Sequence, residues 1–565
     1  MVEQRLLRAA TFALRLLPAA ASAILILCLW PAPPEPKIAF ENVADQAGIA
    51  MVVDNSVTPE KHQVETMLAG VAVFDYDNDG LLDIYIVNGA SLPSMDKSNP
   101  KYWNRLYHNE GNGKFTDVTE KAGVRGVDYG MGVAAADYDN DGYVDLFIAG
   151  VNRNQLLHNN GDGTFTDVTD KAGVSGIDPR SGKAWSMSAG WFDYDNDGLL
   201  DLLVINYVRW SIDREPACRA GNLPAYCSPA SYTGAANLLY HNNGDGTFTD
   251  VSQSSGISKL IGKGMGVAFA DYDGDGWTDA FVSNDTTRNF LLHNNRDGTF
   301  REIGVLAGVA YNDNGKSIAG MGTDFRDVFS DGRPDVFVVG MVGDTFPLFR
   351  NAGRSFLDVT SVSGVARATF GRTAWGSAIA DFDNDGHKDL FAACASILDN
   401  SEAIDHLPFK QPNLVLRNLG NGTFEDVSRT AGATFQAPGA HRGVAVGDLN
   451  NDGRLDVVLT NLNARPEVFL NRSPGTNHWI LIRLAGVKSN RDGLGAKVMI
   501  VPAGGPPQYN HATTSVGLGG SSDRRVHFGL GESTRIDKIE ITWPGGRRQT
   551  LSNVAVDQIL TVREQ

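Results

Sequence analysis

Short apolar runs alternate with acidic turns along nearly the whole chain, as in "GVAAADYDNDGYVDLFIAG" over residues 132–150. The runs are too short for helices and rich in Val, Ile and Phe, which reads as a strand on each side of the turn. A second pattern follows downstream: "LLHNNGDGTFTDVTDKAGV" from Leu156, "LLYHNNGDGTFTDVSQSSGI" from Leu238 and "LLHNNRDGTFREIGVLAGV" from Leu291. Its Asn-Gly-Asp-Gly centre is a tight turn between two further strands. One unit therefore holds four antiparallel strands, A to D, with the acidic turn joining A to B.

The acidic turn recurs seven times. Five copies carry aspartate at positions 1, 3, 5 and 9 of a nonapeptide. They are Asp75, Asp77, Asp79 and Asp83; Asp137, Asp139, Asp141 and Asp145; Asp193, Asp195, Asp197 and Asp201. Asp271, Asp273, Asp275 and Asp279 follow, then Asp381, Asp383, Asp385 and Asp389. Two copies are degraded: Phe329 takes position 3 of the loop from Asp327, and Asn450 takes it among Asp448, Asp452 and Asp456. The starts lie 54 to 78 residues apart, so a common core carries variable insertions. Seven four-stranded units predict an all-β, seven-bladed β-propeller. The seventh unit ends at "EVFLNR" (467–472) without its "F-x-D-V" strand, whereas "FENVADQAGI" from Phe40 carries that pattern and precedes the first loop alone. The N-terminal strand is expected to complete the last blade and hide its edge.

Carboxylates at positions 1, 3, 5 and 9 are spaced to converge on one hard cation, and glycine at position 6 permits the turn that folds them inward. Positions 1, 3, 5 and 6 match the start of an EF-hand loop, but here the flanks are strands and Asp at position 9 stands in for Glu at position 12. Magnesium demands a stricter octahedron with retained water, so the expected ion is Ca²⁺. It is expected at the five intact loops and at a sixth, where Asn450 offers an amide oxygen. Phe329 offers no donor. Turn propensity explains Asp, Asn and Gly in one loop but not the same carboxylates repeated. The chain has 66 acidic against 49 basic residues, a net charge of −17, and the loops hold 26 of the acids. Bound cations would offset most of that charge, which suggests a structural role at each A–B corner. The same acidity excludes nucleic acid as the main partner.

These loops resemble the FG-GAP (VCBS) repeats of integrin α-subunit propellers. The tail reads "NHWILIRLAGVKSNRDGLGAKVMI" from Asn477, "VHFGLGESTRIDKIEITWPGG" from Val526 and "DQILTVRE" from Asp557, and resembles the ASPIC/UnbV domain. The combination is similar to the cartilage acidic protein family and its bacterial relatives. The resemblance implies an exported calcium-binding protein of adhesion or matrix type, with no catalytic triad to carry over. The expected organisation is a leader at 1–36, a propeller at 37–473 and a small β-rich domain at 474–565. Asn490, Asp492 and Trp543 in the tail read as turn chemistry and core packing.

Arg5, Arg8 and Arg15 precede an apolar run from Leu16 to Trp30 and then a proline-rich stretch, an order that suits a secretory signal or short membrane anchor. A secreted, periplasmic or cell-surface protein follows, attached to a membrane only through this segment if it is retained. Cys218 and Cys227 share one insertion and are expected to pair as a disulfide in an exported protein. Cys394, in an apolar run, reads as a buried thiol.

His108, His158, His241 and His293 occupy equivalent places in their units and read as architectural, since a ring has no need of several copies of one catalytic group. Departures from the repeat are more informative. Insertions at 89–104, 206–236 and 395–412 all fall between strands B and C, which places them on the face opposite the acidic loops. Long loops on a rigid scaffold are where binding sites arise. Lys61, His62 and Glu65 precede the first strand A, and Trp185, Lys263, Trp375, His441 and Arg442 precede later ones. They are candidates for carbohydrate or carboxylate recognition. Two readings stand: a non-enzymatic module for a glycan, extracellular matrix or surface protein, and an enzyme (lyase, hydrolase or biosynthetic tailoring) with its site at the channel mouth. No P-loop, Rossmann fingerprint, nucleophile elbow or zinc-protease motif is present.

Overall fold

The computed structural model describes residues 37–176 and 185–565, so the expected leader at 1–36 lies outside the described residues. Among the described residues the chain is nearly all strand, and its helices are short turns of three to five residues. No described helix is long and apolar enough to cross a membrane. Seven sheets follow in chain order, each pairing strands A to D antiparallel. Strands A run over 71–74, 129–136, 186–192, 264–270, 323–326, 374–380 and 441–447. The seventh sheet takes its outer strand from the other end of the chain: Phe40–Asn42 pairs with Glu467–Asn471, Phe40 opposite Asn471. Each strand A packs against the strand A of the next sheet, and 441–447 packs against 71–74.

Local chemistry explains how one sheet leads to the next. The "F-x-D" strand ends in an aspartate just before a one-turn helix, and Asp167 Oδ1 accepts from the Thr169 N–H at that junction at 3.0 Å. Gly173, at φ +78°, closes that turn. Four residues are too few to show a helical period, so sequence patterning does not reveal these turns. The asparagine ending each strand C then ties sheets together. Asn109, Asn159, Asn242, Asn294, Asn351, Asn418 and Asn471 each donate from Nδ2 to a carbonyl in the preceding sheet's acidic loop, at 2.7–3.2 Å. Asn109 reaches Leu449, so the same bond links sheet one to sheet seven.

The tail lies on the acidic-loop side. Asp492 accepts from the Asp137 N–H at 2.9 Å, and Asn140 accepts from the Arg491 N–H at 2.7 Å. Between its own strands the tail sends a hairpin, 515–516 with 520–521, among the strands A, where 520–521 pairs parallel to 71–72. Gly519 O accepts from Val133 N at 3.0 Å, and Gly517 exchanges two bonds with Thr323 at 2.8 and 3.2 Å. The approach requires glycine: a Cβ on Gly519 would meet Gly132 Cα at 2.8 Å, and one on Gly132 would meet Met187 O at 2.4 Å. Trp543 and Asn490 are buried in the tail, Asn490 closing a turn by bonds to and from Leu494.

Candidate metal centres and the opposite loop face

Each acidic turn is folded by its own backbone. The aspartate at position 1 accepts from the glycine at position 6, as Gly198 N to Asp193 Oδ2 at 3.0 Å. The aspartate at position 5 accepts from position 7, as Leu199 N to Asp197 at 2.8 Å. The aspartate at position 9 accepts from position 2 and from the strand-C asparagine, as Tyr194 and Asn242 to Asp201 at 3.1 and 2.9 Å. Glycine is needed at position 6 because φ there lies between +83° and +101°.

These bonds leave carboxylate oxygens converging on one another. Asp75, Asp77 and Asp79 offer one oxygen each within 4.8 Å of the others. Oδ1 atoms of Asp75, Asp77, Asp195 and Asp383 are buried without a hydrogen-bond partner. Burial first, then neighbouring carboxylates, pushes Asp83 up to about 9, Asp193 to about 8, and Asp201 and Asp279 to about 7. Carboxylate oxygens grouped in this way fit a hard divalent cation, and in four loops a histidine nitrogen lies within the same 4.8 Å group.

The histidines repeated in strand C also reach the loops. Nδ1 of His108, His158, His241 and His293 lies 3.2–3.3 Å from the aspartate at position 9 and 3.3–3.7 Å from that at position 3. The Asp201 carboxylate 3.3 Å away raises His241 to about 8. Sheets five and six have arginine there instead. Arg350 and Arg333 hold Asp331 at 3.2 and 2.7 Å, and Arg350 lies 4.6 Å over the Phe329 ring. Arg417 sets its guanidinium on Asp383 and Asp385, so a loop with all four carboxylates already carries a cationic partner. In sheet seven Asn450 donates to Asp452 at 3.1 Å, and Arg454 pairs with Asp452 at 2.6 Å.

On the opposite face two of the long insertions meet, Asn400 donating to Pro224 O at 2.9 Å, and both reach the segment before the first strand A. Cys218 and Cys227 are bonded, with Cα atoms 5.2 Å apart. Cys394 is a buried free thiol. The recognition residues expected at this mouth are largely inside it: Glu65, His441 and Arg442 are 0% exposed, Trp375 1% and Trp185 2%. Glu65 accepts from Tyr226 OH at 2.9 Å, Thr58 Oγ1 at 2.5 Å and His62 N at 3.1 Å. Arg442 lies 4.0 Å over Trp375 and donates to the Thr66 and His441 carbonyls at 2.7 and 2.9 Å. His441 bridges Cys394 O and Glu467 at 3.0 Å each. Lys263 donates to Pro229 O at 2.6 Å, Lys61 pairs with Asp399 at 2.6 Å, and His62 faces Glu215 at 3.7 Å. Glu65, Trp185, Lys263, Trp375, His441 and Arg442 are thus paired or packed inside the lid, as buried polar groups must be, while Lys61 and His62 keep part of their surface exposed. Trp103, which sequence reasoning passed over, stays partly exposed, with the Arg125 and Arg105 guanidinium groups 4.1 and 5.4 Å from its ring.

Residues 75–148, 137–204, 230–282, 327–392 and 407–459 match the FG-GAP-like repeat family, and residues 486–565 match ASPIC and UnbV. The chain belongs to the FG-GAP-like repeat family and carries an ASPIC/UnbV segment at its C-terminal end. It is similar to cartilage acidic protein 1 of Homo sapiens, 26% identical over 534 residues, covering 91% of this chain and 74% of that protein. It is likewise similar to cartilage acidic protein 1 of Xenopus tropicalis, 24% identical over 517 residues, covering 87% and 72%. Among solved structures, an Agrocybe aegerita lectin specific for non-reducing terminal N-acetylglucosamine aligns with TM-score 0.37 and 16% identity over 71% of this chain and 87% of the lectin.

Proposed function

We propose that this protein is an exported, calcium-binding, closed seven-bladed β-propeller acting as a non-enzymatic binding or adhesion module. Calcium in the acidic loops braces one face. The other face, built from the B–C insertions, takes a glycan, a matrix polymer or a surface protein. The observation that carries this reading is the meeting of loops from sheets one, three and six: Lys61 with Asp399 at 2.6 Å, Tyr226 with Glu65 at 2.9 Å and Asn400 with Pro224 O at 2.9 Å. A surface held in one shape before binding loses less entropy on binding. Trp103 between two arginines supplies an aromatic and cationic patch on that surface. The enzyme alternative has less support, because the carboxylate of Glu65 is taken up by donors within the lid.

The test is retention of the full-length protein on immobilised glycans and matrix polymers, with calcium and with EDTA. Trp103→Ala combined with Arg125→Ala is expected to abolish retention without lowering the melting temperature, while chelation lowers the melting temperature. Retention unaffected by the double substitution contradicts the assigned face, and an unchanged melting temperature in excess EDTA contradicts the structural calcium. Turnover of any retained glycan contradicts the non-enzymatic reading.

A further inference from the structure

Five of the seven acidic loops are tied to the next loop around the ring. Asn78, Asn140, Asn196, Asn384 and Asn451, at position 4, donate to the carbonyl of the next loop's glycine at position 6, at 3.0–3.3 Å. Gly274 and Ser330 stand at that position in sheets four and five and have no amide to offer. Beside Gly274 a cavity of about 280 Å³ opens between the two loops and tail strands 497–502 and 508–511. An apolar cavity of about 150 Å³ is enough to take up benzene, so this one has room for about two rings. Phe269, Tyr272, Leu494, Met499 and Tyr509 give much of its wall.

The charged groups of the wall already face partners. Lys497 pairs with Asp271, Arg333 with Asp331 at 2.7 Å and Glu540 with Lys538 at 2.6 Å. Asp327 faces Lys388, and Asp273 lies 3.7 Å from His293. His511 is bonded to Phe269 O at 2.9 Å, and burial holds it neutral. Each of these charges is already offset by a neighbour, so an ionic ligand would have to compete with an existing pair, whereas a neutral ring would bury apolar surface.

We infer that this cavity is a binding site for a neutral, largely apolar compound of one or two rings. The site is separate from the loop face proposed above and does not depend on it. The decisive variant is Gly274→Asn. Gly274 has φ +78°, near the +56° to +62° of the asparagines at the equivalent positions, and a Cβ there meets nothing within 4 Å. The new amide is expected to reach the Gly332 carbonyl and close the cavity. Met499→Trp fills the same space from the tail strand.

Saturation-transfer NMR and calorimetry with 2-naphthol, 2-naphthoate and 2-naphthylmethylamine on the full-length protein test this. Naphthol is expected to bind the wild type at least tenfold more tightly than either ionic probe. Both variants are expected to lose naphthol binding while melting no lower than wild type. Absence of naphthol binding at millimolar concentration overturns the inference. Equal binding of the ionic probes, or unchanged naphthol binding by a folded Gly274→Asn protein, overturns it as well.

Discussion

Calcium uptake by the acidic loops should expel protons, and sheet three shows how many. Burial away from water raises Asp193 to about 8, with nearby Asp201 adding to it, and Asp201 to about 7, with nearby Asp195 adding to it. At pH 6 both carboxyls are mostly protonated, as is His241 at about 8, so an ion coordinated by this loop displaces about two protons from the carboxyls and a third where the imidazolium beside them also gives one up. At pH 9 it displaces almost none. By linkage, a site releasing about two protons gains affinity about a hundredfold per pH unit near pH 6, and the gain fades above pH 8. The stability of the chelated protein has the opposite trend. A carboxyl raised in the fold from an ordinary 3.8 favours the protonated native state, so its contribution is complete below about pH 4 and is lost as pH rises through 7 and 8. Calorimetric calcium titration at pH 6 and pH 9, in buffers of different ionisation enthalpy, reads the proton count directly. Heats independent of buffer at pH 6, or an affinity flat from pH 6 to 9, would refute the reasoning.

Two further outcomes are expected. Asn109→Ala removes bonds to the Leu82 and Leu449 carbonyls at 2.9 and 2.8 Å, across the junction of sheets one and seven. Two buried acceptors left unpaired at about 1–3 kcal/mol each make a loss of about 2–6 kcal/mol in denaturant unfolding. Asn294→Ala, which cuts the tie from sheet four to sheet three, should cost about the same; a much smaller loss for Asn109→Ala would mean that the ring is not continuous there. Arg417→Gln frees Asp383 and Asp385, so the sheet-six loop should bind calcium at least tenfold more tightly in titration. An unchanged affinity would show that this arginine does not compete with the ion.

The acidic turns were legible in the sequence because the bonds from positions 2, 6 and 7 that fold each turn onto its aspartates lie within nine residues. The glycine, the aspartate caps and the strand-forming flanks are neighbours along the chain, and repetition separates a built site from a chance cluster of turn residues. The shared last sheet was legible for a related reason: a lone strand before the first unit and a seventh unit short of one strand are visible remainders. The role of the strand-C histidines was not. His241 follows Asp201 by 40 residues, and only the pairing of strands B and C brings the two together.

Sequence by itself determined the strand-rich repeat, the carboxylate sets and the position of the insertions, all of which follow from local pattern and count. Tertiary structure alone decided that the tail threads a hairpin among the inner strands, since Gly519 and Gly132 meet across 387 positions and nothing local marks either as a contact. It alone decided that Glu65, Arg442 and Trp375 serve the lid. Whether a polar side chain faces water or a partner depends on what the rest of the fold lays over it, and here two insertions from distant units close over the segment before the first strand A. It also opened the space beside Gly274, where the absence of one amide is felt only once neighbouring loops are brought side by side.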